Sequence, residues 1–355
     1  AGYEDPEGAP VRAVTLYFGG GTPSRMAPDQ IGRIVDAAAG RFGLPRDAEI
    51  TLEANPGDLA AERLAGYRLA GVNRVSLGVQ SFRDPMLRFL ERRHTAAEAR
   101  AAYDRVRAAG FENVSVDLIY GLPGQSAFEW EEDLRELRRW APEHASLYAL
   151  SMEEGSALTA RWRAGEVDVP EEDVSAALWD ALGALSADYE HYEISNFARP
   201  GRRAAHNSLY WRWSPYVGFG AAAHSFVPLG DGGLRWSNLA EPARFMEAAL
   251  AGRAARARRE RLDRETAVAE YLLTRLRLSE GFSEDDFALR FGARFEALVG
   301  PALGEWAEAG YLRRWGGRVL ATPRGWLLSN ALFGDVVSRS VRALTTSRPP
   351  FYFTP

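Results

Sequence analysis

The sequence contains no cysteine among its 355 residues. Disulfides and thiolate-held metal sites are therefore excluded within it. It also lacks any run of about eighteen consecutive apolar residues, which excludes a membrane-spanning helix read from hydropathy. Residues Ala1 to Pro10 carry no apolar core of the kind a secretory signal needs, so a cytosolic protein is the default expectation. There is no excess of basic charge: the net charge is −5, which argues against a dedicated nucleic-acid binder. An initial Met is missing as well, and Ala1 at the start is what a fragment or a processed product has.

What is present reads as globular. Hydrophobic residues make up 46% and charged residues 26% of the chain, enough to bury a large core in about two domains. Val14–Phe18, Ile50–Glu53, Arg74–Val79, Val114–Tyr120 and Ser146–Leu150 read as short buried strands. Amphipathic helices are expected between them, over Asp29–Phe42, Asp58–Ala70, Ala96–Ala109 and Ala127–Trp140. Gly71 and Gly110 mark helix ends. Repeated strand–helix units imply a parallel α/β sheet. Five strands before residue 151 are too few for an eight-fold barrel and fit a partial TIM-like barrel, a (β/α)6 fold lacking its first strand.

Each expected strand ends in polar residues or glycine. Gly19-Gly20-Gly21-Thr22 follows the first, Glu53 to Pro56 the second and Gln80-Ser81 the third, while Asp117 lies within the fourth. The carboxyl ends of such strands form the active face of α/β barrels. Turn chemistry and helix capping are the competing explanation. Glycines admit a ligand close to backbone N–H groups. Glu53 suits an amino group or a ribose, Asp117 a ribose diol, and Arg92 a carboxylate. The set describes a ligand with an α-amino acid end and a nucleoside end, the form of S-adenosylmethionine.

Beyond Glu171–Ala187, expected to be helical, an aromatic stretch from Tyr189 to Ser225 reads as irregular structure, and Arg253 to Arg264 as a solvated helix or linker. Helices over Arg264–Leu278, Ser283–Phe291 and Phe295–Ala309, then a hairpin of Tyr311–Trp315 and Arg318–Ala321, suggest a winged-helix-like domain. Glu296, Glu305 and Glu308 on its third helix oppose DNA binding, so a structural or lid role is expected. Arg324–Phe333 reads as a last helix. The domain boundaries expected are 1–190, 191–240 and 241–340, with a tail over 341–355.

Seven ordered segments carry a family resemblance: Thr15–Ser24 (TLYFGGGTPS), Leu52–Pro56 (LEANP), Val72–Phe82 (VNRVSLGVQSF), Val116–Gln125 (VDLIYGLPGQ), Tyr192–Gly201 (YEISNFARPG), His206–Trp211 (HNSLYW) and Gly218–Ser225 (GFGAAAHS). The chain resembles the radical S-adenosylmethionine coproporphyrinogen III oxidase-like family, in its HemW-type haem-chaperone branch. That resemblance implies S-adenosylmethionine contacts at Gly20, Gly21, Thr22, Glu53, Gln80, Arg92 and Asp117, with Ser151 and His224 as two further positions. It implies a [4Fe–4S] cluster and haem as further cofactors, with His206 as a candidate haem-iron ligand. Haem-accepting proteins are the implied partners. The alternative activity is oxygen-independent coproporphyrinogen III oxidation, and a degenerate or structural member of the family is a third possibility.

The departure from the family is the missing C-x-x-x-C-x-x-C cluster loop. An N-terminal strand, cluster loop and helix preceding Ala1 are the expectation, with natural loss of the cluster as the alternative. The chain as written is expected to be catalytically inactive, and to leave an edge of its first strand open. Ala204-Ala205 before His206 is a second departure, where a polar or basic residue is usual in the family.

Overall fold

The computed structural model describes residues 12–346 except 153 and 169–171. The expected tail beyond 346 and Glu171 lie outside the described residues. Two compact units are formed, Ala1–His206 and Asn207–Pro355.

The first unit is built on a curled seven-stranded half-barrel. Strands β1 (Thr15–Phe18), β2 (Glu49–Ala54), β3 (Arg74–Gln80), β4 (Val114–Tyr120) and β5 (His144–Ala149) lie side by side in sequence order, all parallel. Four of the connecting helices, Pro28–Phe42, Ala61–Leu69, Ala96–Ala108 and Ala127–Trp140, fall within three residues of where periodicity placed them. Gly71 and Gly110 have φ of 95° and 82° just past two of these helices, a conformation glycine adopts without a Cβ penalty.

Two further strands close the series, and here local sequence misleads. The aromatic stretch is irregular only in part, over 199–204 and 212–223: β6 (Glu190–Glu193) and β7 (Asn196–Ala198) form an antiparallel pair, and β7 zips antiparallel onto β5, Ala145 opposite Phe197. The pairing partner lies about fifty residues upstream, out of reach of a windowed reading. The pairing keeps residues 190–198 in the first unit, which runs to His206. The last turns of the preceding helical segment are likewise different: a helix over Glu172–Ala181 gives way to a tighter 3-10 turn over Leu182–Leu185.

Side chains alternate across a strand with period two, and in this sheet the alternation sorts chemistry. One face carries Leu52, Val75, Leu77, Val79, Val116, Leu118 and Leu147, all buried with Ile31, Leu64, Tyr67, Val106, Trp130 and Leu134 of the helices. Parallel sheets usually read as continuous apolar runs because both faces are covered. The opposite face is polar instead. It presents Thr15 and Tyr17, Glu49, Thr51 and Glu53, Arg74 and Ser76, Ser115 and Asp117, and His144 and Ser146.

In the second unit, β8 (His224–Leu229), β9 (Gly232–Asn238) and β10 (Arg256–Leu262) form an antiparallel sheet. Arg253–Arg264 is thus mostly an edge strand, not a helix or linker. Pairing with β9 overrides the local Ala/Arg helix preference, and exposed arginines suit a strand edge. Helices Arg264–Arg275, Glu284–Phe291 and Phe295–Glu308 precede β12 (Leu312–Trp315) and β13 (Arg318–Ala321), and β11 (Phe282–Ser283) joins that sheet in the order β11-β13-β12. The expected winged-helix-like arrangement is present. Ser283 caps its helix by accepting from the Asp286 N–H at 3.2 Å. The last helix is two, Pro323–Leu327 and Ser329–Thr346, because the chain leaves helical geometry at Leu328 (φ −100°, ψ 23°).

Trp130 anchors the helix-covered face. It is fully buried, and its Nε1 donates to the Leu178 carbonyl at 3.0 Å. Trp130→Ala is expected to cost about 3–5 kcal/mol, read as a lower urea midpoint. A loss below about 1 kcal/mol, the scale of a surface change, contradicts this packing.

Candidate functional site

The site is built from the loop after β1 and the polar sides of the next three strands. Gly20 has φ of 101°, a conformation that L side chains rarely adopt. Its N–H donates to Glu53 Oε2 at 3.1 Å. Thr22 donates to the Gly21 carbonyl. A Cβ added at Gly20 or Gly21 would meet nothing within 4 Å, so the loop borders open space. Gly19 is different: a Cβ there would lie 2.5 Å from Tyr17 Cε1 and 3.0 Å from Glu53 Oε1. Only glycine lets the loop close over that pair. Tyr17 Oη donates to Glu53 Oε1 at 2.5 Å, and burial pushes the Tyr17 hydroxyl far up, reinforced by the Glu53 charge.

Gln80 ends β3 with φ of 67°, an uncommon backbone state for a non-glycine residue and one that clusters at functional sites. Its amide nitrogen crowds Gly78, where a Cβ would lie 3.0 Å from Gln80 Nε2 and 3.7 Å from Arg92 Nη2. Arg92 follows the short helix Asp84–Phe89 and is half-buried, and burial lowers its pKa despite the attraction of Asp117. Among the described residues no carboxylate lies within ion-pair distance of Arg92, and no cation within that distance of Glu53. Two opposite charges therefore flank the strand ends without neutralising each other.

Asp117 on β4 accepts from Ser76 Oγ at 3.2 and 3.0 Å and from Ser115 Oγ at 3.2 Å. Burial raises its pKa to about 6 in spite of these bonds. A buried chain leads away from it. Ser115 Oγ lies 2.8 Å from His144 Nδ1, His144 Nε2 lies 2.7 Å from Tyr192 Oη, and the Ala204 N–H donates to that oxygen at 3.3 Å. One tautomer satisfies every bond: Tyr192 donates to Nε2, Nδ1–H donates to Ser115, and Ser115 donates to Asp117. It requires neutral His144, whose pKa burial drives well below the ordinary value.

His206, in the first turn of the helix Ala205–Trp211, belongs to the same neighbourhood. Its ring stacks on Tyr17 with centroids 4.9 Å apart and planes 16° off parallel. Nδ1 lies 2.8 Å from Thr15 Oγ1. Glu49 fixes the helix start by accepting from the Ala205 and His206 N–H groups, each at 2.9 Å. Burial lowers the imidazole to about 4, so it is neutral at neutral pH, the form in which histidine binds a metal.

The structure thus places Glu53, Gln80 and Asp117 on adjoining strands of one unit, with Gly20, Gly21 and Thr22 in the bordering loop and Arg92 just past the helix Asp84–Phe89. Ser151 lies exposed just past β5, and His224 opens β8, exposed, in the second unit. Among the described residues, no hydrogen bond or ion pair ties Ser151 to the group. Thr15, Tyr17, Ser76, Ser115, His144 and Tyr192 were not anticipated. The signal that reveals them is the polar period of two inside otherwise apolar strands, as in V-S-V-D-L. Residues for a [4Fe–4S] cluster do not fit: no cysteine exists to ligate it. Among the described residues no cluster of three or more His, Asp or Glu is arranged to hold a metal.

Asp117 carries a testable pH signature. A carboxyl whose folded pKa of about 6 exceeds the ordinary 3.8 weakens the fold when ionised. The penalty is full above the folded pKa and fades as pH falls towards the unfolded one. Asp117→Asn is therefore expected to raise the denaturation midpoint at alkaline pH, with the gain shrinking through this window. A gain independent of pH contradicts the raised pKa.

Residues 8–137 match the radical SAM superfamily and residues 262–328 the HemN C-terminal domain. The chain is 34% identical over 321 residues to the heme chaperone HemW of Lactococcus lactis, covering 90% of this chain and 83% of that protein. To the HemW of Escherichia coli it is 35% identical over 324 residues, covering 90% and 82%. The solved structure of coproporphyrinogen III oxidase (HemN) from Escherichia coli, a radical SAM enzyme, superposes with a TM-score of 0.75 at 21% identity, over 92% of this chain and 78% of that one; it shares the fold. Half-barrel, glycine loop and a likeness over 90% of the chain together establish that this chain belongs to the radical SAM superfamily, within the family of the HemW proteins.

Proposed function

We propose that this chain is a haem chaperone of the HemW type that binds S-adenosylmethionine at the strand ends and carries haem to acceptor proteins. The observation that carries the first part is the uncompensated pair of Glu53 and Arg92. A zwitterionic α-amino acid end supplies an ammonium for one and a carboxylate for the other, and each bond is charge-assisted. Gly20 holds Glu53 in place, and the open space over Gly20 and Gly21 leaves room for the ligand. Asp117, oriented by Ser76 and Ser115, offers carboxylate lone pairs to a ribose diol when ionised. When bound with a reducing cluster, S-adenosylmethionine supplies a 5′-deoxyadenosyl radical; this chain has no ligands for such a cluster, and no radical step is assigned to it.

Haem is cargo in this reading. His206 is the candidate axial ligand, a neutral imidazole oriented by Thr15 and Tyr17. Anchoring one ring nitrogen fixes the ring plane and the direction of the other, as outer partners do for metal-bound histidines. The names of the HemW relatives support this reading over an oxidase one, because the likeness to HemN is one of fold.

Two measurements test the two ligands separately. In calorimetric titrations with S-adenosylmethionine, Glu53→Gln and Arg92→Gln are each expected to weaken binding about tenfold or more, the scale of one charge-assisted bond. Unchanged affinity in both refutes the pocket. In Soret titrations with haem, His206→Ala is expected to weaken binding and to abolish the histidine-ligated spectrum. An unchanged spectrum removes His206 as the ligand.

A further inference from the structure

We propose that Tyr17 is a positioning residue through which occupancy of the strand-end pocket is transmitted to His206. The inference rests on the reading that the pocket takes an ammonium-bearing ligand. Three residues on one face of the β1 segment, spaced by two, touch everything involved. Thr15 holds His206 Nδ1, Tyr17 stacks on the His206 ring, and Gly19 leaves the space in which Tyr17 meets Glu53. Glu53 completes the connection, taking the Tyr17 hydroxyl on one oxygen and the Gly20 N–H on the other.

The connection has a mechanical reason to respond. Glu53 is an acceptor only, and both of its oxygens are already engaged. An arriving ammonium brings up to three donors and a full positive charge, so it competes for the lone pairs that now hold Tyr17. The Tyr17 hydroxyl must then weaken its bond or turn with the carboxylate. Its ring has little slack towards the loop, since even a Cβ on Gly19 would lie 2.5 Å from Cε1. Movement is therefore passed to the opposite neighbour, the stacked imidazole. Linkage makes the effect reciprocal: whatever His206 binds alters the pocket's affinity for its ligand by the same factor.

The test uses the full chain at fixed neutral pH, with imidazole nitrogens and tyrosine rings isotope-labelled for NMR. S-adenosylmethionine is the titrant, and calorimetry records its binding independently. Saturation is expected to shift the His206 ring resonances with the same midpoint as the heat. Tyr17→Phe, which keeps the ring and deletes the hydroxyl, is expected to lose most of that shift at saturation. Arg92→Gln is expected to move the midpoint to higher ligand concentration and keep the full shift once saturated, a split that a general loss of structure does not produce. A wild-type titration in which heat is released while His206 stays still overturns the coupling and leaves the pocket standing. An undiminished His206 shift in Tyr17→Phe also overturns it. Absence of any heat overturns the pocket reading and the coupling with it. A further reading needs no variant: Tyr17 ring resonances must move together with those of His206, and a still Tyr17 ring overturns the proposal.

Discussion

Everything functional in the first unit depends on one constraint, the strict alternation of side chains across five parallel strands. Because successive residues point to opposite faces, a strand such as Val114–Tyr120 can bury Val116 and Leu118 beneath helices while turning Ser115 and Asp117 the other way. A sheet covered by helices on both sides would spend both faces on packing. Here one face is left for polar chemistry, and the parallel register lines up contributions from neighbouring strands. The helix-covered face keeps this polar surface in place: Trp130, Tyr67 and Leu52 are fully buried behind it.

The polar face is organised by hydrogen bonds that satisfy buried groups one another would otherwise leave unpaired. An unsatisfied buried donor or acceptor costs about 1–3 kcal/mol, so the chain from Ala204 through Tyr192, His144 and Ser115 to Asp117 is held together by its own penalties. The second route, from His206 through the Tyr17 ring stack to Glu53, is shorter and ends on β2. Both routes start at the segment 204–206, and each ends on an acid of the polar face. The segment that carries the candidate haem ligand is therefore linked to Asp117 by hydrogen bonds and to Glu53 through the Tyr17–His206 stack.

Much of this was legible in the sequence because local rules and tertiary structure agree. Val114–Tyr120, Ala127–Trp140 and Arg318–Ala321 occur with the bounds expected, since apolar period, caps and turn glycines all point the same way. Gly20, Glu53 and Gln80 were singled out by their place at strand ends, Asp117 by its place within a strand, and Arg92 as a cation able to reach a carboxylate. The failures have a common cause in long-range pairing. Nothing within Arg253–Arg264 announces that Leu234 and Trp236 will pair with it, and nothing near Phe197 announces Ala145. Tyr17 was overlooked because a tyrosine in a buried strand reads as core. Its hydroxyl acquires meaning only once β1 and β2 are in register and Glu53 stands beside it.

We propose Glu53 and Arg92 as a receptor for a zwitterion. It is tested most directly by comparing the affinity for S-adenosylmethionine with that for 5′-deoxy-5′-methylthioadenosine, which keeps the nucleoside and lacks the amino acid end. The account predicts that the wild-type chain prefers S-adenosylmethionine by about a hundredfold, the combined worth of two charge-assisted bonds, and that the preference collapses when Glu53 and Arg92 are both replaced by glutamine. Equal affinity for the two ligands in the wild-type chain would contradict it.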